Sequence, residues 1–189
     1  SFDICHSNGG CPVFDLIVRN ANLPDGRTGI DIAIANGLIA EVAAKLDATA
    51  MREIDATGRL ASPPFVDSHF HLDSTLTYGR PRVNASGTLL EGIKLWGELK
   101  PDLTVEEIKA RALKLCHWSV ARGTLAIRSH VDVSDDRLLA VKALLEVRAE
   151  IKPYIDLQLV AFPQDGYLRY PGSAENLKRA LDLGVNVVG

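Results

Sequence analysis

The sequence predicts an α/β protein in which a small antiparallel sheet precedes a parallel sheet built from alternating strands and helices. Three observations carry this reading. Short β-prone runs broken by turn residues fill residues 13–60, and Asn36-Gly37 sits between two of them as a hairpin signal. From about residue 61 the rhythm changes, and apolar runs of strand length alternate with stretches of helical periodicity. Capping and stop residues fall at the joints of that second pattern.

In chain order, residues 1–12 contain Cys5, His6, Gly9-Gly10 and Cys11 and are expected to be a flexible leader outside the fold. Runs at 14–18, 30–34 and 38–42 are the strands of the antiparallel module, expected to span 13–60. The apolar run through Val66 is the first strand of the second pattern, continuing to His71. A helix is expected over 89–99. A second begins at Thr104, where Thr104 and Glu107 form a capping box, and stops at Gly123. Residues 124–131 form the next strand, and Ser134 is expected to cap a helix through about Ile151. A strand over 155–162, a helix over 173–183 closed by Gly184, and a fourth strand over 185–188 complete the chain.

Composition narrows the function classes. With 189 residues and 47% hydrophobic content the chain can build a real core. A net charge of -3 without a basic stripe argues against nucleic acid as a partner. No apolar run approaches the roughly 20 residues of a membrane span, and the N-terminus lacks a charged segment followed by a long apolar core. A cytoplasmic protein is expected. Cys5, Cys11 and Cys116 are odd in number and lack Cys-x-x-Cys spacing, which fits neither a disulfide framework nor a zinc knuckle.

The chemistry concentrates in Pro63-Pro64-Phe65-Val66-Asp67-Ser68-His69-Phe70-His71-Leu72-Asp73. On a strand, side chains alternate faces, so His69 and His71 point the same way and read as half of a metal site. Three further segments follow in order: Ser86-Gly87-Thr88-Leu89-Leu90-Glu91-Gly92-Ile93, Arg128-Ser129-His130-Val131-Asp132-Val133-Ser134-Asp135 and Val160-Ala161-Phe162-Pro163-Gln164-Asp165-Gly166. Together these segments resemble the metal-dependent amidohydrolase superfamily, in its cytosine deaminase branch, over about residues 13–189.

The resemblance implies a TIM (β/α)8 barrel preceded by a small β-sandwich subdomain. Residues 13–60 would be part of the sandwich and 61–189 the first half of the barrel. Such barrels have eight strands and typically about 250 residues, and four strands follow residue 60 here, so the chain is expected to be the N-terminal portion of a longer enzyme. It implies one divalent metal ion, iron or zinc, held by His69 and His71. The remaining histidine, an aspartate and the proton-shuttling glutamate would lie beyond Gly189, leaving no catalytic residue within the chain. Gln164 falls just past a strand at the same rim, where an amide offers both donor and acceptor to a ring edge; a turn-stabilising glutamine is an equal reading from spacing alone. The resemblance implies that Gln164 binds the pyrimidine edge and that Leu89 adds backbone contacts.

His130 also ends a strand and is the rival ligand, although a supporting, hydrogen-bonded histidine is favoured. Asp132 and Asp135 are read as structural, Asp135 as the acidic residue of a helix's first turn, and His117 as structural within its helix. The implied reaction is hydrolytic deamination, cytosine to uracil and ammonia. The alternatives are an amidohydrolase on another aminated ring (N-isopropylammelide, isoguanine or a pterin) and a non-catalytic barrel relative. Tyr78 and Arg80 depart from the best-known cytosine deaminase pattern, while the Pro-Cys-x-x-Cys of the small zinc deaminases is missing. Partners implied are a small heterocyclic substrate, the rest of the same enzyme and, compatibly, further copies of the chain in a homo-oligomer.

With two of its ligands present, this chain alone is expected to bind zinc or iron weakly. Calorimetric titration checks it, and a stable stoichiometric complex would count against a site shared with residues beyond Gly189.

Overall fold

The computed structural model describes residues 14–189, so the expected leader with Cys5, His6 and Cys11 lies outside the described residues. The chain divides into two compact units, one ending at Pro63 and the other running from Pro64 to Gly189. The division falls three residues after the change of rhythm at residue 61.

The first unit is a four-stranded sheet made of β1 (Phe14–Ala21), β2 (Ile30–Ala35), β3 (Leu38–Ala43) and β4 (Ala50–Asp55), in the order β3-β2-β1-β4. Asn36 and Gly37 both take positive φ, 53° and 76°, the geometry that joins β2 and β3 tightly. Contrary to the antiparallel expectation, the sheet is mixed, because β4 pairs parallel with β1. Strand β4 was not anticipated. Its sequence, Ala-Met-Arg-Glu-Ile-Asp, is largely exposed and lacks clean apolar alternation. What holds it is a distant pairing and one guanidinium. Arg19 on β1 donates to Glu53 of β4 (2.8 Å), to Asp31 of β2 (2.8 Å), and to the carbonyls of Leu46 (2.8 Å) and Ala48 (2.7 Å) in the connection from β3. Asp31 is buried and also accepts from the backbone N–H of Asn20 and Leu46.

The second unit is a parallel sheet of β5 (Phe65–Phe70), β6 (Thr124–Asp132), β7 (Asp156–Phe162) and β8 (Val187–Val188), neighbours in that order. Between β5 and β6 lie α1 (Leu89–Leu99), a 3-10 turn at Lys100–Asp102 and α2 (Val105–Val120); α3 (Leu139–Ile151) joins β6 to β7, and α4 (Ser173–Asp182) joins β7 to β8. The predicted cap at Thr104 forms, and Thr88, which the sequence alone did not single out, caps α1. Thr88 accepts the N–H of Glu91, and Thr104 that of Glu107. Helix α2 buries Ile108, Ala112 and Cys116, and α3 buries Val141, Leu144, Val147 and Ile151, both at helical spacing. These meet Ile127, Val131, Leu157 and Leu159 of the sheet. The Cys116 thiol is pushed up to about 11 by burial and acts as core.

Ser134 does not cap α3. The helix starts at Leu139, preceded by Leu138 in a left-handed conformation, and Ser134 instead accepts the N–H of Asp165 at 3.0 Å. Asp135 is correspondingly outside any helical turn; its carboxylate holds Arg137 through backbone and guanidinium.

Burial pushes the Asp31 carboxyl up, but Arg19 and the two amide N–H groups outweigh it and leave it below the usual range. A depressed carboxylate stabilises the fold above its unfolded pKa and loses that contribution as pH falls through the folded value. Acid should therefore weaken the first unit. Asp31→Ala, which removes the buried partner of Arg19 and leaves it only Glu53 and two carbonyls, is expected to cost about 1–3 kcal/mol at neutral pH and to flatten the acid limb of a pH series of urea melts.

Candidate functional site

The C-terminal ends of β5, β6 and β7 meet at one rim. Strand β5 stops at Phe70, yet the alternation carries one residue further, and the rings of His69 and His71 lie 5.4 Å apart between centroids. His130, near the end of β6, stacks on His69 at 4.0 Å and lies 5.6 Å from His71. Phe162, the last residue of β7, packs edge-on to both His71 (5.7 Å) and His130 (5.6 Å). Thus three imidazoles and a phenyl ring gather where the sequence placed two imidazoles.

A cavity of about 500 Å³ opens over this group and is lined by His69, His71, Leu89, Trp96, Phe162 and Gln164, among others. The structure brings both predicted ligands and both predicted substrate contacts to the same space. His130 is not in the lining. Leu89, first residue of α1, is 78% exposed. Tyr78 and Arg80, the two residues that depart from the expected pattern, and Arg82 also line the cavity. Arg80 pairs with Glu107, and Arg82 with Glu91 (2.7 Å) and Glu98 (3.2 Å), so their charges are already matched.

Beneath the rim lies a polar network that the sequence did not announce. Asp73 is 1% exposed; its Oδ2 accepts the N–H of Asp132 at 2.8 Å and its Oδ1 that of Ser74 at 2.9 Å. Asp132, read from sequence as merely structural, accepts from the Trp96 indole (2.8 Å), the Lys100 ammonium (2.7 Å) and the Ser134 N–H (2.7 Å). Lys100 reaches on to Asp165 at 3.0 Å. Arg111 of α2 donates to the carbonyls of Asp73 and Thr75, fixing the turn that follows His71. His117 meets the Tyr154 hydroxyl at 3.2 Å, remote from the rim.

Electrostatics sort these groups. Burial, reinforced by the neighbouring imidazoles, lowers the pKa of His71 and leaves it neutral at pH 7, the form that ligates metal. Burial and His69 lower His130 too. Burial pushes Asp73 up to about 7, although two amide N–H groups favour its anion. For Lys100 burial acts downward, and Asp132 and Asp165 more than offset it, so the ammonium persists.

The donor set suits a divalent ion. His69 and His71 present neutral-capable nitrogens side by side, and the Nδ1 of His130 is buried with no hydrogen-bond partner among the described residues. Among the described residues, no group of three or more His, Cys, Asp or Glu side chains is placed to hold a metal ion. No helix among them is long and apolar enough to cross a membrane.

A parallel β/α sheet carrying imidazoles and an amide around a cavity at its strand ends has the arrangement in which β/α folds place their binding sites. The sequence model described as "Amidohydrolase family" matches residues 52–185, and the chain belongs to that metal-dependent family. It is 38% identical over 186 residues to N-isopropylammelide isopropyl amidohydrolase of Pseudomonas sp. (strain ADP), covering 93% of this chain and 45% of the relative. Among solved structures, 5-methylcytosine deaminase from Klebsiella pneumoniae liganded with 5-fluorocytosine is 43% identical, with a TM-score of 0.86 over 92% of this chain and 42% of that one. N-isopropylammelide isopropylaminohydrolase from Burkholderia multivorans is 30% identical, with a TM-score of 0.75 over 92% of this chain and 44% of that one. The chain thus spans less than half the length of each of these relatives.

Asp73→Asn would turn one acceptor into a donor facing an amide N–H. The variant is expected to lose about 1–3 kcal/mol in urea melts; an unchanged midpoint would show that the Asp73 link to Asp132 carries no stability.

Proposed function

We propose that this chain contributes part of the active site of a metal-dependent hydrolase that removes an amino group from a pyrimidine-like ring, with cytosine or a close derivative as substrate. The observation that carries the reading is that His69, His71 and Gln164, from two different strand ends, line the same cavity of about 500 Å³. In this reading residues 61–189 are the first half of a (β/α)8 barrel and 13–60 part of a β-sandwich. The remaining metal ligands and the proton-transferring carboxylate come from outside the chain.

His69 and His71 hold the ion, iron or zinc, and His130 supports them through its stacked contact with His69. When bound, the ion supplies a water acidified toward neutrality as nucleophile. Gln164 presents a donor and an acceptor to the ring edge, and so fixes which carbon faces the imidazole pair. The backbone at the start of α1, at Leu89, borders the ring on another side. Phe162 and Trp96 supply apolar walls that keep bulk water from the bound ring.

A second reading, hydrolysis of an N-alkylated triazine, is supported by the 38% identity to the N-isopropylammelide enzyme. Ammonia or alkylamine release from cytosine, 5-methylcytosine, isocytosine, isoguanine, a pterin and ammelide derivatives, measured on the full-length protein, separates the two. Gln164→Ala is expected to lower kcat/KM for the ring substrate about 10- to 100-fold with metal content unchanged, whereas His69→Ala and His71→Ala lose the metal. Equal loss of metal and turnover in Gln164→Ala would remove Gln164 from substrate binding. A full-length protein purified with well under one metal ion per chain would favour a non-catalytic relative.

A further inference from the structure

We propose that Trp96 is a specificity-determining residue, its indole forming an immovable wall that sets which ring substituents the cavity accepts. Trp96 lines the cavity of about 500 Å³ and packs against the buried core. It also borders a second void of only about 10 Å³, shared with Leu103, Ile108, Leu139 and Ala140. A space of that size holds at most about one water, so the indole has nowhere to retreat.

Polar contacts fix it sideways as well. The indole N–H donates to Asp132 Oδ2 at 2.8 Å, and that carboxylate, 4% exposed, is itself held by Lys100 at 2.7 Å and by the Ser134 N–H at 2.7 Å. A hydrogen bond to a buried, paired carboxylate is among the stronger kind. Rotating the ring would leave both the N–H and part of the carboxylate unmatched. Most other polar side chains of the lining sit on loops or carry partners at the surface, whereas Trp96 is mounted on a helix and anchored to the sheet's own network. A rigid aromatic wall of this kind selects by shape: one extra or missing methylene in an apolar pocket changes discrimination by about 10- to 200-fold.

This inference rests on the ring-binding reading above. It is tested by binding rather than turnover. Dissociation constants of cytosine and of its N-alkyl and 5-alkyl derivatives are measured by calorimetry on full-length wild type, Trp96→Leu and Trp96→Phe. Because each ratio of alkylated to parent ring is taken within one variant, a partly folded sample does not move it, and Trp96→Phe retains an aromatic core residue if the leucine variant folds poorly. The expected result is that at least one alkyl series gains about tenfold or more relative to the parent ring in Trp96→Leu, with a smaller gain in Trp96→Phe. Ratios unchanged in every series would overturn the wall. Ammonia release by wild type, scored separately, judges the deaminase reading: rings that bind with a shifted ratio but release no ammonia would remove that chemistry and keep the wall.

Discussion

The rim of the second unit depends on one joint, the Asp73 carboxylate clasping the backbone N–H of Asp132. The backbone ladder between β5 and β6 slips after Asp67, and its last pairing is Phe70 with Ser129. Beyond that point the strands would part, since parallel neighbours diverge once their amides lack partners. Side chains replace the missing rungs: Ser129 Oγ accepts the N–H of Leu72 at 3.0 Å, and Asp73 accepts that of Asp132. His71 lies between the last backbone pairing, at Phe70, and these two substitutes, at Leu72 and Asp73, so its position follows from both. The same logic continues to β7, where the N–H of Val133 donates to the Phe162 carbonyl and that of Asp165 to Ser134 Oγ. Each functional strand end is thus laced to its neighbour by a polar contact within a few residues of a cavity-lining side chain.

The lacing is electrostatically demanding. Asp73 and Asp132 are two buried carboxyls close together, and their proximity adds to the burial that raises Asp73. The arrangement is tolerable because the second carboxylate is matched by Lys100 and the indole N–H, leaving the first to be satisfied by amide groups. A buried charge costs several kcal/mol unless paired. Lys100 therefore sits just past the end of α1, where its side chain can reach both Asp132 and Asp165. The placement of α1 against the sheet, and with it Leu89 and Trp96, is coupled to the same carboxylate that steadies the rim.

Local signals in the sequence were enough for elements whose causes are local. The start of α2 follows from the Thr104–Glu107 box, and the β2–β3 turn from Asn36-Gly37. His69, His71, Leu89 and Gln164 could be named because strand alternation and a family resemblance point to them, and they do share a cavity. What could not be read has distant causes. Strand β4 exists through its parallel pairing with β1 and through Arg19, which reaches Glu53 across 34 residues of sequence. The Asp73 bond to Asp132 spans 59 residues and the Trp96 bond to Asp132 spans 36, and neither leaves a periodic trace. Ser134 looks like a helix cap locally, but the competing claim of Asp165 on its hydroxyl wins.

The two borders of the cavity are held by different kinds of contact. The groups suited to a metal ion sit on β5 and β6, where backbone and carboxylate bonds tolerate little displacement. The groups that differ in character from the cytosine deaminase pattern, Tyr78 and Arg80, sit on the segment between β5 and α1, held by surface ion pairs such as Arg80 with Glu107. Exposed pairs of that kind contribute roughly 0–1 kcal/mol each, so the stretch around Tyr78 and Arg80, unlike Asp73 earlier in the same segment, can change sequence with little effect on the rim. Relatives named for 5-methylcytosine and for N-isopropylammelide share this frame at 43% and 38% identity. A rim held by buried polar contacts and a border held by exposed ion pairs therefore differ in how much sequence change each can absorb.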